Sequence, residues 1–269
     1  MGSMANAQET RKERRQAARE ARVEAERLEA AAAARKRRLY QLGGLVALAA
    51  VVVVVAIVIS SGGAKGPQQK AGEKVAGQSL AAQEFGGIPQ SGATLGDPKA
   101  PATLVEYGDL VCPACKAYSD DVLPPLIQKY VRSGKLKIDF RPFQFVRPYS
   151  LQAAQYSYAA SLQDKGWNFD RIWYINQGDE SDNYVTDEFA RRMASGVPGL
   201  DANKLIADSK TPAAQEAAKK VAQEFQTLGF DSTPSFAGGK TGGTMKPVDL
   251  SQDPDKAVQQ LITDAGGSV

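Results

Sequence analysis

The longest feature of the hydropathy pattern is residues 42–59, a run from Leu42 to Ile59 without one charged or polar side chain and with valine at every position from Val51 to Val55. Eighteen residues rising about 1.5 Å each reach about 27 Å, close to the roughly 30 Å hydrocarbon core of a bilayer. The pattern therefore predicts a single transmembrane helix, assigned to residues 42–60. Ahead of it, residues 8–38 are dominated by Ala, Glu and Arg, all strong helix formers, while Val23 and Leu28 do not recur at heptad spacing. Residues 1–41 thus read as a charged helical tail, either solvated or lying on a partner or a lipid surface. Behind the apolar run, residues 61–96 are rich in Gly, Gln, Ser, Lys and Ala and have little to bury. They predict a flexible tether, with a short helix at 78–85.

A different pattern follows, and residues 97–269 read as one folded domain. Residues 102–108 (Ala-Thr-Leu-Val-Glu-Tyr-Gly) are β-branched and aromatic and predict a buried strand, while residues 136–145 alternate apolar with polar and predict a second, with a helix between them. Helical periodicity then runs from about 150 to 228. Its last helix has Thr211 placed to cap it, Pro212 at the first position, one face made of Ala214, Ala217, Ala218, Val221, Phe225 and Leu228, and Gly229 to end it. Residues 235–237 and 243–248 suggest a β-hairpin, and residues 254–265 a closing helix.

Charge sharpens the reading of the ends. Residues 1–40 carry 11 Lys/Arg against 6 Glu, whereas the whole chain has 33 Lys/Arg against 30 Asp/Glu, so the remainder is slightly acidic and nothing suggests a nucleic-acid partner. The cluster Arg35-Lys36-Arg37-Arg38 precedes the apolar run, which puts the N-terminus in the cytoplasm and the folded domain outside it. A cleaved signal peptide is the rival reading, with Gly62-Gly63-Ala64 supplying small residues, but the long leading segment favours an uncleaved anchor.

Composition narrows the chemistry further. With no histidine, the Ser/His and Cys/His nucleophile pairs and His-based metal sites are excluded, and the two cysteines, Cys112 and Cys115, cannot supply a four-cysteine zinc site. No metal and no cofactor is expected. Cys112-Pro113-Ala114-Cys115 follows a predicted strand and opens a predicted helix. A static disulfide is the alternative, but closing so short a loop removes little entropy from the unfolded chain. At a helix N-terminus Cys112 meets free backbone N–H groups and the positive end of the helix dipole, which favour thiolate over thiol. An exposed Cys112 is then the attacking group. Pro113 suits the first helical position, and Cys115, one turn in, is placed to resolve a mixed disulfide.

These residues carry a resemblance. The segment from Val105 through Cys115, the upstream Gly87-Ile88-Pro89-Gln90-Ser91-Gly92 with Leu95-Gly96-Asp97-Pro98, and the late Gly229-Phe230-Asp231-Ser232-Thr233-Pro234-Ser235-Phe236 together resemble the DsbA-like family of exported thiol-disulfide oxidoreductases. The resemblance implies an α/β thioredoxin fold with a helical subdomain inserted at about 150–209. It also implies that Thr233-Pro234 forms a cis-proline loop beside the cysteines that offers backbone to a substrate strand. Glu106 matches the buried acid that exchanges a proton with the second cysteine. In a strand it shares a face with Leu104, where burial raises a carboxyl's pKa; the alternative is an edge-strand Glu in solvent. Asp109 is a weaker candidate for the same role.

Ala114 departs from the family pattern, because the best-known oxidising members have His there. Without it the Cys112 thiolate is expected to be less stabilised and the couple a milder oxidant. The resulting reading is a membrane-anchored extracytoplasmic enzyme that introduces disulfides into exported proteins with cysteines. A membrane redox partner of the quinone-linked oxidase type regenerates it. A reductase or isomerase of the same fold, or a thioredoxin-like binding module with a structural disulfide, remains the alternative.

Overall fold

The computed structural model describes residues 75–268. The expected charged tail (1–41), the anchor (42–60) and the first part of the tether lie outside the described residues, among which no helix is long and apolar enough to cross a membrane.

Helix α1 (Gln78–Phe85) leads into two short strands, β1 (Gln90–Ser91) and β2 (Thr94–Leu95), and then into β3 (Ala102–Gly108), whose seven residues are all buried. Helix α2 (Pro113–Ala117) continues through a π-helical segment (Tyr118–Val122) into α3 (Leu123–Leu126) and a second π segment (Ile127–Val131). Pro124 and Pro125 lie within this run and have no N–H to offer the regular helical ladder, and the two widened segments flank them. Strand β4 (Leu136–Pro142) follows. Four helices then form the insertion: α4 (Ser150–Ser161), α5 (Gly166–Ile175), α6 (Asp187–Ser195) and α7 (Ala202–Ser209). Helix α8 (Pro212–Thr227), β5 (Ser235–Lys240), β6 (Lys246–Val248) and α9 (Pro254–Asp264) complete the fold. Thr211 caps α8 by accepting from the Ala214 N–H, with Pro212 first in the helix, and Gly229 ends the turn after it at φ 75.

The sheet order is β1-β2-β4-β3-β5-β6. β3 runs parallel to β4, pairing Ala102 with Leu136 and Gly108 with Pro142, and antiparallel to β5, pairing Glu106 with Phe236. It is therefore a central strand, covered on both faces. Leu104 belongs to the larger core with Leu126, Ile138, Trp173 and Ile262. Val105 and Tyr107 belong to a smaller core with Phe143, Val221, Phe225 and Ala237.

Two expectations are corrected. Over residues 75–96 the chain is not a tether but part of the domain. Ala81, Phe85, Ile88 and Leu95 are buried, β2 pairs with β4, and Glu84 holds the buried Arg171 guanidinium at 2.7 Å. Arg132 also donates to the carbonyls of Gln83, Glu84 and Gly86. The second strand ends at Pro142 rather than 145, because the Phe145 and Val146 N–H groups turn to the Asp109 carboxylate at 2.9 and 2.8 Å.

Candidate active site

Cys112 is the last residue before α2, with extended backbone (φ −73, ψ 123), and Pro113 takes the first helical position. The loop leading to it is fixed by Asp109, which accepts from Val111 N–H at 2.8 Å with one oxygen and from Phe145 and Val146 with the other. Its carboxylate is committed to shaping the loop, so the weaker alternative to Glu106 has a structural occupation. The helical insertion holds the loop from the other side: Trp173 Nε1 donates to the Leu110 carbonyl at 3.0 Å, and Gln177 Nε2 to the carbonyls of Leu110 and Cys112 at 2.9 and 3.2 Å. Neither residue was among the sequence candidates. The signal for Trp173 was the largely apolar sequence of α5, which marks a helix buried on most sides, whereas Gln177, two residues past its end, carried none.

The two thiols are free and differ sharply. Cys112 is 6% exposed and Cys115 0%. The expectation of an exposed Cys112 is thus corrected: the Thr233-Pro234 loop, more than a hundred residues away in sequence, closes over it, and the thiol points at the Thr233 carbonyl at 3.6 Å. The Thr233-Pro234 peptide bond is cis, as the resemblance implied. The Cys115 thiol is the largest influence holding the Cys112 sulfur down to about 6, with Thr233 and the backbone N–H groups of Cys115 and Ala114 adding to it against the opposing effect of burial. Burial pushes Cys115 well up, and its proximity to Cys112 and Glu106 pushes it further. Its sulfur also accepts from the Asp109 N–H at 3.5 Å. Pro113 and Ala114 are exposed between the two. Lys116 turns away to Asp120 at 2.7 Å.

Behind the cysteines lies Glu106, 2% exposed. The solvent-edge alternative for it falls, because β3 is paired on both sides. Burial, with a smaller contribution from the charge of Asp170, raises its carboxyl to about 8. Glu106 and Asp170 line one cavity of about 10 Å³, together with Ser119, Phe140, Arg171 and Tyr174. Asp170 was also absent from the sequence candidates, since a lone Asp in a helix reads as solvated. Among the described residues no group of three or more His, Cys, Asp and Glu is arranged to hold a metal ion.

The sequence pattern of the family described as Thioredoxin matches residues 90–250. A Bacillus cereus protein named "Probable disulfide bond formation protein D" is 30% identical over 145 residues, covering 53% of this chain and 67% of that protein. "Disulfide bond formation protein D" of Bacillus subtilis is 27% identical over 146 residues, covering 53% and 65%. Among solved structures, oxidised BdbD from Bacillus subtilis superposes with a TM-score of 0.57 at 22% identity, covering 67% of this chain and 98% of that one, which is a likeness of fold.

Proposed function

We propose, from the premise that this chain belongs to the thioredoxin family and is a DsbA-like thiol-disulfide oxidoreductase, that it introduces disulfides into proteins outside the cytoplasm through Cys112 and Cys115. The observation that carries the reading is the asymmetry of the pair. One sulfur is held down to about 6 at a helix N-terminus beside the Thr233-Pro234 loop, and its partner, one turn in, is fully buried and held as a thiol. A static bridge needs no such difference.

In client oxidation a client thiolate attacks the Cys112 sulfur of the Cys112–Cys115 disulfide, and Cys115 leaves as a thiolate that takes a proton from Glu106. The client's second thiolate then attacks its own sulfur in the mixed disulfide and releases Cys112 as a stabilised thiolate. The Thr233 backbone beside Cys112 aligns the client strand, while Pro113 and Ala114 present an exposed, uncharged approach. A Cys112 value of about 6 lies between a free thiol near 8.5 and the roughly 3.5 of strongly oxidising members. It supports a milder oxidant, in keeping with Ala114. Residues 1–41 form the cytoplasmic tail and 42–60 the anchor, with the domain exported. A membrane redox partner of the quinone-linked type returns the dithiol to the disulfide.

The deciding experiment compares oxidation of a reduced, unfolded client with reduction of insulin, alongside the potential of the Cys112/Cys115 couple. Faster net client oxidation is expected; faster insulin reduction would reassign the enzyme as a reductase. A reporter fused after residue 269 is expected to be protected from cytoplasmic modification, and its labelling there would overturn the exported orientation.

A further inference from the structure

Phe140, Trp167 and Asp170 wall two spaces at once. One is the cavity of about 10 Å³ beside Glu106, the size of a single water. The other is a pocket of about 440 Å³ between α4, α8 and the end of β4, rimmed by exposed Lys220, Glu224 and Leu162. It forms because β2 pairs with β4 only as far as Asp139, which leaves one edge of β4 without a strand beyond that point. Asp170 stands in the partition. It is 6% exposed; Ser157, which also lines the pocket, donates to one carboxyl oxygen at 2.8 Å, and the other oxygen is buried without a partner among the described residues. A buried carboxyl with an unused oxygen is expensive unless something intermittently occupies it.

Cys115 creates the need. It is fully buried, and a client strand on the Thr233 side closes the remaining approach from the front. Yet its sulfur must gain a proton when it leaves as thiolate and lose one when the disulfide is remade. We propose that Asp170 is the second station of a proton path, passing protons between Glu106 and solvent in the pocket through the water-sized cavity. The inference rests on Glu106 serving Cys115 as proposed above. During client oxidation two client thiols are oxidised and the Cys112–Cys115 disulfide is reduced. The proton runs from pocket water to Asp170, across the cavity to Glu106, and on to the Cys115 thiolate. When a disulfide of the redox partner reoxidises the dithiol, the same proton returns outward.

The surroundings suit this role. Glu106 faces Asp170 from β3 and Ser157 from α4, while Tyr174 lies along α5 itself. Arg171, next in sequence, is already neutralised by Glu84 and Asp120. Asp139 and Arg141 from β4 and Lys220 and Glu224 from α8 line the pocket. Burial raises the Asp170 carboxyl to about 8, as it does Glu106, so both exchange protons near neutral pH and neither is locked as a carboxylate.

The test follows the full-length dithiol enzyme reacting with oxidised glutathione, acid-quenched to capture the Cys112–glutathione mixed disulfide. Asp170→Asn is expected to leave formation of that species unchanged and to slow its resolution by Cys115 roughly tenfold at neutral pH, less than the roughly hundredfold or more of a direct general acid or base because Glu106 remains in place, while flattening the pH profile near 8. Because the two carboxyls act in series, Glu106→Gln with Asp170→Asn should be no slower than Glu106→Gln alone. Formate, small enough to enter the opened partition, should restore resolution in Asp170→Ala but not in Glu106→Gln. Wild-type resolution in Asp170→Asn beside slow resolution in Glu106→Gln overturns the path and leaves the Glu106 role standing. Wild-type rates in both remove both. Multiplying effects, or an Asp170→Ala variant indifferent to formate, also overturn it.

Discussion

The two faces of β3 are equally buried and built on opposite principles. On the Val105 and Tyr107 face, contacts are apolar and aromatic: Phe225 packs against Tyr107, Phe143, Phe145 and Phe230 at centroid separations of 4.7 to 6.3 Å, and the Tyr107 hydroxyl reaches Glu224 at the margin. On the Leu104 and Glu106 face the same strand meets Cys115, Tyr118, Asp170 and Tyr174, all buried and all shifted away from the charged form. Alternation of side chains along one strand therefore separates a face that holds the sheet together from a face that gathers buried ionisable groups beside the cysteines. Stability should come mainly from the first face and redox chemistry from the second. Substitutions on each side test that division.

The largest effect is expected at the cysteines. Cys112→Ser should abolish exchange, and Cys115→Ser should accumulate mixed disulfides between Cys112 and clients, because no resolving thiol remains. Non-reducing electrophoresis after brief exposure to a client reads both. Equal trapping by the two variants would contradict the assigned roles. On the opposite face, Phe225→Ala should destabilise the domain by about 3–5 kcal/mol, as truncation of a buried aromatic does. Below the unfolding transition the alkylation rate of Cys112 should stay unchanged. A Phe225→Ala protein of normal stability but altered thiol reactivity would erase the distinction between the faces.

Much of this arrangement was legible beforehand because its signals are local. Residues 102–108 read as a buried strand from their own composition, Thr211 and Pro212 announced α8, and the strand-to-helix setting of Cys112 and Cys115 located the chemistry. What failed depends on distant partners. Residues 75–96 look like linker because their few large side chains are diluted by Gly and Gln. Their place in the fold comes from Arg171 gripping Glu84 and Trp167 meeting Phe85 edge to face at 6.0 Å, and those partners are supplied some eighty residues later. The burial of Cys112 beneath Thr233 is non-local in the same way, and so is the pairing of Glu106 with Asp170, which no spacing rule connects.

The face that buries ionisable groups should reveal its cost through pH. Burial raises the Glu106 carboxyl from its ordinary value of 4.5 to about 8, so the unfolded chain gives up this proton first. Burial of Glu106 therefore destabilises the fold increasingly as pH rises from 4.5 to 8, fully above 8 and not at all below 4.5. Glu106→Gln removes the titration. The variant should gain stability over the parent across that window, by a few kcal/mol at most, since each unit is worth about 1.4 kcal/mol. Denaturant melts at pH 4 and pH 9 give the two ends. A gain equal at both pH values would mean that packing, not charge, distinguishes the variant.

The smallest expected effect concerns Ala114, which lies between the two faces' concerns: it belongs to neither core and sits exposed two residues from Cys112. A dithiol is more oxidising the more its thiolate is stabilised relative to the disulfide. In this protein that stabilisation comes from the Cys115 thiol, Thr233 and the helix N-terminus, none of which uses the side chain at position 114. Ala114→His adds a partly protonated imidazole beside the sulfur and should lower the Cys112 pKa further. One unit corresponds to about 1.4 kcal/mol, or about 30 mV for this two-electron couple, and solvent screening at an exposed position keeps the shift below that. The couple should become more oxidising by this modest amount, with stability of the reduced form unchanged or raised. Equilibration against glutathione, paired with the pH dependence of Cys112 alkylation, measures both quantities. If the alkylation pKa falls while the potential stays fixed, thiolate electrostatics does not set the redox poise of this enzyme.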